Sequence, residues 1–200
     1  MLEVNNLDFD YPDKQVLQGI QFTVNPGGLL HLRGGNGAGK TTLLKLLTGL
    51  LYPLRGDIRY NGKAIKNDIA SYQHQICYVG HKTGVSQLLT ARENCRFELK
   101  YGQNSLSFEE IIELFSLKGL EDIPCNLLSV GQRRRVGLLR LLMSNASLWL
   151  LDEPLVGLDQ EAIHVLMALL AKHLDKGGLV VLTSHQNLPL RKENYQEYCL

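Results

Sequence analysis

The chain has 200 residues and carries 21 lysines and arginines against 20 aspartates and glutamates, a net charge of +1. Hydrophobic residues at 44% and charged residues at 20% are typical of folded globular proteins, and the length suits one domain, with or without an insertion. The charge balance excludes nucleic-acid binding through bulk positive charge, and no apolar run approaches the roughly 20 residues of a membrane span.

The N-terminal segment and the cysteines indicate the cellular compartment. The first ten residues contain three acidic side chains and no basic one, which is the wrong charge for a secretory signal or a transit peptide. The cysteines form no CxxC pair and have no metal-ligand spacing. They are Cys77, Cys95, Cys125 and Cys199. We therefore expect reduced cysteines in a cytosolic protein.

The first 33 residues are predicted to be β structure. Residues 16–24 are rich in β-forming types, and a Pro-Gly-Gly turn precedes a short apolar strand at residues 29–33. Residues 42–51 then carry leucines at helical spacing. Pro53 and Gly56 are predicted to end that helix.

The rest of the chain alternates between strands and helices. Short strands are predicted at residues 58–62, 76–79, 148–151 and 179–182, and a helix at 162–174. Residues 83–146 have a mostly helical pattern, with a helix start at Ser107. This order predicts an α/β fold with a parallel sheet and an N-terminal antiparallel β portion. We expect one domain over residues 1–200, with a helical subdomain inserted at about 83–146.

A glycine-rich segment fits the pattern GxxxxGK[ST] in full, after an apolar strand and at a helix start. Glycine adopts the tight, partly left-handed turns that wrap backbone N–H groups around phosphate oxygens, and the helix N-terminus adds further donors. Lys40 is placed to reach the β- and γ-phosphates, and the Thr41 hydroxyl to ligate Mg²⁺. The predicted phosphate-binding residues are Gly34, Gly35, Asn36, Gly37, Ala38, Gly39, Lys40, Thr41 and Thr42.

Two carboxylates follow the apolar strand at 148–151. Asp152, at the strand tip, is placed to hold Mg²⁺ through a water molecule. Glu153 would then lie beside the γ-phosphate, where a general base can orient and deprotonate an attacking water. The alternative is a pair of surface acids in a turn.

Between these two sites the chain reads LSVGQR, followed by a helical stretch. Ser129 and Gly131 at this helix N-terminus predict a second anion site, built from a hydroxyl and backbone N–H groups. A single nucleotide does not need two such helix ends. The second one is explained if two copies pair head to tail, each closing the nucleotide of the other.

The motifs GGNGAGKT, LSVGQ, LWLLDEP, VGLD and TSH, in this order, resemble the nucleotide-binding subunit of ABC transporters over essentially the whole chain. This resemblance implies a P-loop NTPase core that binds ATP and Mg²⁺, and an ATP-sandwich dimer. It implies that Tyr11 stacks on adenine, although Phe9 is a rival. It also implies that His185 contacts the γ-phosphate and holds the attacking water.

The same resemblance implies roles for residues that meet the nucleotide of the opposite subunit. Ser129 and Gly131, with Gln132 beside them, would contact its γ-phosphate. Asp159 resembles the acid of the loop that couples the two sites.

Two positions depart from the family pattern. Most members have glutamine where this chain has His81, and an imidazole there would make activity more sensitive to pH. The usual motif LSGGQ has glycine where this chain has Val130. The valine side chain adds bulk at the place where the phosphate would approach. His81 is still counted with Glu153 and His185 among the predicted catalytic residues.

The segments YVGH, QRRRVGLLRLL, WLLDEP and TSHQ resemble one branch, the ATP-binding subunits of cytochrome c maturation (the CcmA family). This resemblance implies ATP hydrolysis that drives a membrane complex in cytochrome c biogenesis, by haem export. It places the chain peripherally on the cytoplasmic face of the inner membrane, with integral membrane subunits contacting residues 81–94. The alternatives are a subunit of another ABC transporter, a soluble ABC ATPase and a non-hydrolysing nucleotide-binding module.

One basic cluster remains. It is interpreted as a solvated helix face or as a phosphate contact near the partner's ATP, so no nucleic-acid partner is expected. The cluster consists of Arg133, Arg134, Arg135 and Arg140.

Overall fold

The computed structural model describes residues 1–82, 84–99, 106–186, 188 and 195–200, without the side chains of 97–99. One sheet has four strands in the order β2-β1-β4-β5, and a second has five in the order β6-β7-β8-β3-β9. The strands are β1 (Leu2–Tyr11), β2 (Lys14–Val24), β3 (Leu29–Arg33), β4 (Arg55–Tyr60), β5 (Lys63–Ala64), β6 (Ile76–Val79), β7 (Leu148–Leu151), β8 (Leu179–Thr183) and β9 (Tyr195–Cys199). The helices are α1 (Lys40–Leu47), α2 (Ile69–Gln73), α3 (Ala91–Leu99), α4 (Phe108–Leu114), α5 (Val130–Leu138), α6 (Arg140–Met143) and α7 (Gln160–Asp175).

The four-stranded sheet is antiparallel, as predicted for the N-terminal portion. β1 and β2 form a hairpin that closes at Tyr11 opposite Lys14, and β4 pairs with the other edge of β1. Strand β1 alternates buried and more exposed positions, because successive side chains point to opposite faces of a sheet. Its buried side chains join the core.

All strand pairs of the second sheet are parallel. Leu148 and Leu150 of β7 face the core shared with the antiparallel sheet and α1, whereas Trp149 and Leu151 face the core shared with α3 to α7. This explains why β7 is apolar throughout, since both faces of the sheet are covered. The predicted α/β fold is confirmed.

Parallel strands place their carboxyl ends at one edge of the sheet. β3, β6, β7 and β8 therefore lead into four loops that meet at the same edge. These loops contain the phosphate-loop sequence, His81, the Asp152–Glu153 pair and His185. An edge of this kind is where ligands bind in open parallel sheets.

The first helix ends earlier than predicted. α1 stops at Leu47 rather than at 51, so Pro53 and Gly56 do not end it. Gly49 adopts a left-handed φ of 73°, and the N–H of Leu50 donates to the Lys45 carbonyl at 3.0 Å. This is a Schellman ending, in which a glycine with positive φ satisfies the last carbonyls of a helix.

Helices α3 to α6 lie in the chain between β6 and β7, where the sequence pattern was mostly helical. Ser107 caps α4 through a complete capping box with Glu110, as its sequence indicated. The helical stretch that follows LSVGQR is divided, because α5 ends at Leu138 and α6 begins at Arg140.

Helix α2 and strand β9 were not predicted. β9 pairs with β3 at the edge of the parallel sheet, and its five residues are half-buried or exposed. A strand of this composition has no apolar run that could reveal it. No helix in the described part of the chain is long and apolar enough to cross a bilayer.

Candidate active site

A cleft of about 580 Å³ opens at the edge where the parallel strands end. It lies between the turn of the β1–β2 hairpin, the phosphate-loop sequence and the loops after β6, β7 and β8. Its lining residues are Tyr11, Lys14, Val16, Gly35, Asn36, Gly37, Ala38, Gly39, Lys40, Thr41, Thr42, His81, Asp152, Glu153, Val156 and His185.

Lys40 is held inside the loop that precedes it. The ammonium group donates to the carbonyl oxygens of Gly34 at 2.7 Å and Gly35 at 3.1 Å, and the residue is buried. A cation kept at this point by backbone oxygens is available to an anion entering the loop, because lysine acts on phosphate as a point charge.

Gly39 illustrates why the loop needs glycine. Its φ is 98°, and a Cβ there would lie 2.8 Å from Leu17 Cδ2 and 3.0 Å from Val16 Cγ1. Both the left-handed backbone and the close approach of β2 exclude a side chain. Strand β2 therefore supports the loop at the N-terminus of α1.

Asp152 is buried at the tip of β7, between two threonines. Its carboxylate accepts hydrogen bonds from the Thr41 hydroxyl at 2.8 Å and from the Thr183 hydroxyl at 2.9 Å. Carboxylate and hydroxyl oxygens are the ligands that Mg²⁺ prefers. The two residues predicted to hold the metal, Thr41 and Asp152, are thus in direct contact.

Glu153 has an unusual backbone conformation, with a left-handed φ of 49°. Its N–H donates to the Thr183 hydroxyl at 2.8 Å, and its carboxylate lies 3.4 Å from Nε2 of His185. The oxygen that lies near His185 is Oε1, which is buried and makes no hydrogen bond in the described part of the chain. Such an acceptor is free to receive a hydrogen bond from a water molecule in the cleft.

The two aromatic candidates for an adenine platform differ in exposure. Tyr11 lines the cleft and is 41% exposed, whereas Phe9 is 8% exposed and belongs to the core. The two rings meet edge to face, with centroids 5.1 Å apart. The buried Phe9 ring therefore packs against the Tyr11 ring, and of these two rings the Tyr11 ring is the one available to a ligand.

Five of the predicted residues do not line this cleft: Gly34, whose carbonyl accepts from Lys40, and four residues of the LSVGQ and VGLD motifs. Ser129 and Gln132 form a capping box at the start of α5, and Asp159 caps α7 and pairs with Arg135. A Cβ on Gly131 would lie 2.7 Å from the carbonyl oxygen of Gly157. The fold thus joins the LSVGQ and VGLD motifs to each other, and of these two motifs only Val156 is among the lining residues of the cleft.

The interpretation of the basic cluster as a solvated helix face is wrong for Arg134. This side chain is only 6% exposed and reaches the loops after β6 and β7. The sequence analysis also missed Thr183, which bonds both Asp152 and Glu153. Thr183 belongs to the TSH motif, and that signal could have identified it.

A cleft that combines a GxxxxGK[ST] loop with an acid pair after a strand of the same parallel sheet, in a chain that also carries an LSVGQ helix, defines an ABC-type ATPase. The family model described as "ABC transporter" matches residues 17–156. The chain belongs to this family and, within it, to the CcmA group.

Two curated relatives and one solved structure document this membership. A cytochrome c biogenesis ATP-binding export protein CcmA of Legionella pneumophila is 53% identical over 200 residues, covering 100% of both chains. The CcmA of Vibrio parahaemolyticus is 43% identical over 191 residues, covering 94% of this chain and 93% of the relative. The ATP-binding subunit of an ABC transporter superposes with a TM-score of 0.81 at 30% identity, covering 92% and 79% of the chains.

Proposed function

We propose that this chain is the ATP-hydrolysing subunit of a membrane export complex in cytochrome c biogenesis, with haem export as its role. The proposal rests on one observation, the meeting of Lys40, Asp152, Glu153 and His185 at one cleft, in a chain 53% identical to CcmA over its full length. We take residues 1–200 as one ABC ATPase domain, with residues of about 83–146 as its helical subdomain.

The residues of the cleft suit a magnesium nucleotide. The loop from Gly34 to Thr42 would hold the phosphates through its N–H groups and Lys40, and the exposed ring of Tyr11 would stack on adenine. Thr41 and Asp152 would hold Mg²⁺, because their oxygen atoms already converge. The metal would neutralise charge on the phosphates when bound.

Glu153 is the group that we assign to the attacking water. Its buried carboxylate oxygen Oε1, which makes no hydrogen bond in the described part of the chain, can accept one from that water and orient it toward the γ-phosphate. The His185 imidazole, 3.4 Å from this carboxylate, fixes its direction and contacts the γ-phosphate. His81 lines the same cleft and takes the position of the usual glutamine.

A second copy of the chain would complete the site. Ser129, Gly131, Gln132 and Asp159 lie outside the cleft of their own chain, which supports a head-to-tail dimer in which they meet the partner's nucleotide. The exposed apolar side chains of Val130, at 70%, and Val156, at 52%, would be covered in such a dimer. The partner's Ser129 and Lys40 would together stabilise charge that develops on the transferred phosphoryl group.

The membrane subunits would contact residues 81–94. A groove of about 260 Å³ lies beside this segment, between it and helices α3, α5 and α6. It combines apolar side chains such as Val85, Leu89 and Met143 with Arg140. Such a groove suits a short helix of a membrane protein, which would hold this chain peripherally on the cytoplasmic face of the inner membrane.

The ATPase assignment is tested with the purified full-length chain. We expect steady ATP hydrolysis by the wild type, and a loss of at least about 100-fold in Glu153→Gln, because an amide cannot accept the proton. ATP binding should remain, since the phosphate loop is unchanged. Lys40→Ala serves as the matched variant that loses binding. If the wild type and Glu153→Gln both hydrolyse ATP at the same negligible rate, the ATPase assignment is wrong and the chain is a nucleotide-binding module without turnover.

The membrane assignment is tested by isolating the tagged chain from membranes. We expect integral membrane subunits to co-purify with the wild type and to be lost with Leu88→Glu, because Leu88 is an 82% exposed leucine within residues 81–94. Leu54→Glu, at a 64% exposed leucine outside this segment, should retain them. Absence of a membrane subunit from the wild-type preparation would contradict the proposal, and subunits unrelated to cytochrome c biogenesis would indicate another ABC transporter.

A further inference from the structure

Arg134 is a buried cation that lies between two half-buried arginines, Arg133 and Arg135. It is the fifth residue of α5, the helix that begins at the LSVGQ motif, and it is 6% exposed. An arginine is always charged at neutral pH, so its burial requires compensating polar partners. Among the described residues, the hydrogen-bond partners of its terminal nitrogens are backbone carbonyl oxygens, and the charges of Asp152 and Glu153 also favour the cation.

The guanidinium divides its two terminal nitrogens between two strand ends. One nitrogen donates to the carbonyl oxygens of Gly80 at 3.0 Å and His81 at 3.3 Å, directly after β6. The other donates to those of Asp152 at 2.9 Å and Glu153 at 2.7 Å, directly after β7. The two terminal nitrogens carry four N–H groups, which equals the number of carbonyls.

β6 and β7 are neighbouring parallel strands whose pairing ends at Val79 and Leu151, so beyond these residues no strand ladder donates hydrogen bonds to the carbonyls. The Glu153 carbonyl also accepts from the N–H of Val156 at 3.2 Å. The carbonyls of Gly80 and Asp152 meet Arg134 in buried surroundings, where a carbonyl without a donor is costly. A planar group with two forked ends matches this geometry, whereas a lysine ammonium would place its three N–H groups at one point.

The contact with Glu153 has a consequence for catalysis. Glu153 has a left-handed φ of 49°, a strained conformation for a residue with a side chain. Its N–H is held by Thr183 at 2.8 Å and its carbonyl by Arg134 at 2.7 Å. The peptide groups on both sides of its Cα are thereby fixed, and these two groups determine where the carboxylate points.

We propose that Arg134 is a positioning residue for ATP hydrolysis, which holds the backbone of Glu153 and of His81 in their catalytic orientation and connects both to the LSVGQ helix. This inference rests on the proposed function, because it assigns Arg134 to the hydrolysis carried out by Glu153. Movement of α5 toward a partner's nucleotide would be transmitted through one side chain to the carboxylate that orients the water.

The connection also reaches the segment proposed to meet the membrane subunits. Residues 81–94 begin at His81, whose carbonyl Arg134 binds. A displacement of that segment would therefore act on the same guanidinium as a displacement of α5. Arg134 does not line the cleft, so it would alter turnover without altering nucleotide affinity.

The test compares Arg134→Lys and Arg134→Gln with the wild type in the purified full-length chain, measuring kcat, KM for ATP and the fraction of chains that bind ATP. We expect kcat to fall at least tenfold in both variants, while KM and the bound fraction stay within twofold. Arg134→Gln buries no charge, so it carries the test if the lysine variant does not fold. Arg59→Lys, at a 49% exposed arginine paired with Asp57, is the matched control and should behave as the wild type.

Two results would overturn the inference. One is a kcat within twofold of the wild type in a folded Arg134 variant. The other is a kcat that falls only in proportion to the fraction of chains that bind ATP, which is what a purely structural role predicts. If the wild type itself hydrolyses no ATP, the proposed function fails and this inference fails with it. An active wild type with unaffected Arg134 variants overturns the inference alone.

Discussion

At the scale of single residues, the orientation of each side chain at the site depends on the groups that hydrogen-bond to it or pack against it. Asp152 can serve as a metal ligand because two threonine hydroxyls fix its carboxylate, and Glu153 depends on Thr183 for the direction of its N–H. Gly131 has a second role besides offering an N–H group, since the Gly157 carbonyl would lie 2.7 Å from any Cβ there. Residue identity at the site is therefore set by packing as well as by chemistry.

His173 provides a prediction at this scale. Its ring stacks on Trp149 with centroids 3.9 Å apart, and burial lowers its pKa from 6.5 to about 4. In the unfolded chain this imidazole binds a proton below about pH 6.5, whereas in the folded chain it does so only below about pH 4. The free energy of unfolding should consequently hold above pH 6.5 and fall as the pH drops from 6.5 toward 4.

Urea unfolding at pH 7 and pH 5 measures this dependence. We expect the wild type to lose roughly 1–2 kcal/mol more than His173→Gln between these two pH values, since one pKa unit corresponds to about 1.4 kcal/mol. His31, whose pKa burial also lowers, is present in both proteins and cancels in the comparison. An identical pH dependence in the two proteins would rule out this role for His173.

At the scale of elements, the junctions between strands and their following loops build the site. Strands β3, β6, β7 and β8 each deliver one part of it to the same edge of the sheet. Helices α4 and α5 both begin with a serine capping box, Ser107 with Glu110 and Ser129 with Gln132. Only the cap at Ser129 belongs to a motif that we assign to nucleotide binding. Comparing the two caps therefore distinguishes the contribution of a serine to stability from its contribution to catalysis.

This pair of caps gives a prediction. Ser107→Ala should lower the free energy of unfolding by about 1 kcal/mol and leave the ATPase rate of folded chains unchanged. Ser129→Ala should cost a similar amount of stability but also reduce the ATPase rate at least about tenfold, because it removes a hydroxyl from the partner's nucleotide. Thermal or urea unfolding and ATPase rates on both variants test this. Equal ATPase rates would show that Ser129 acts only as a cap.

At the scale of the whole molecule, the phosphate loop and the LSVGQ motif, which are both assigned to nucleotide binding, lie at different places on one chain. The phosphate loop opens into the cleft, whereas Ser129, Gly131, Gln132 and Asp159 lie outside its lining. We propose that these four residues form a surface for the nucleotide of another copy. This arrangement is the physical basis of the proposed head-to-tail dimer.

Mixing two inactive variants tests the dimer. In a head-to-tail pair of Lys40→Ala and Ser129→Ala chains, one site carries both changes and the other carries neither. We expect each variant alone to have little activity, and an equal mixture to recover up to about a quarter of the wild-type rate if pairing is random and the sites act independently. A mixture no more active than the mean of its components would contradict this pairing.

Much of the site could be predicted because its motifs are local. The left-handed turns of residues 34–41, the apolar strand before Asp152 and the capping box at Ser107 each depend on neighbours a few positions away. The end of α1 and strand β9 were missed for different reasons. Gly49 is a local signal for the end of α1, but the prediction used Pro53 and Gly56 instead. Strand β9 forms by pairing with the edge of β3, and its own residues carry no strand pattern.

The amino-acid sequence by itself determined the class of fold, the phosphate loop and the two carboxylates, because backbone conformation at such motifs follows from short-range sterics and hydrogen bonding. Only the tertiary structure decided that Thr183 binds Asp152, that Phe9 lies beneath Tyr11 and that Arg134 is buried. These contacts join residues that are far apart in the chain or, for Phe9 and Tyr11, residues two positions apart on one strand that differ in burial. They depend on which elements pack together and on how far the core covers each side chain.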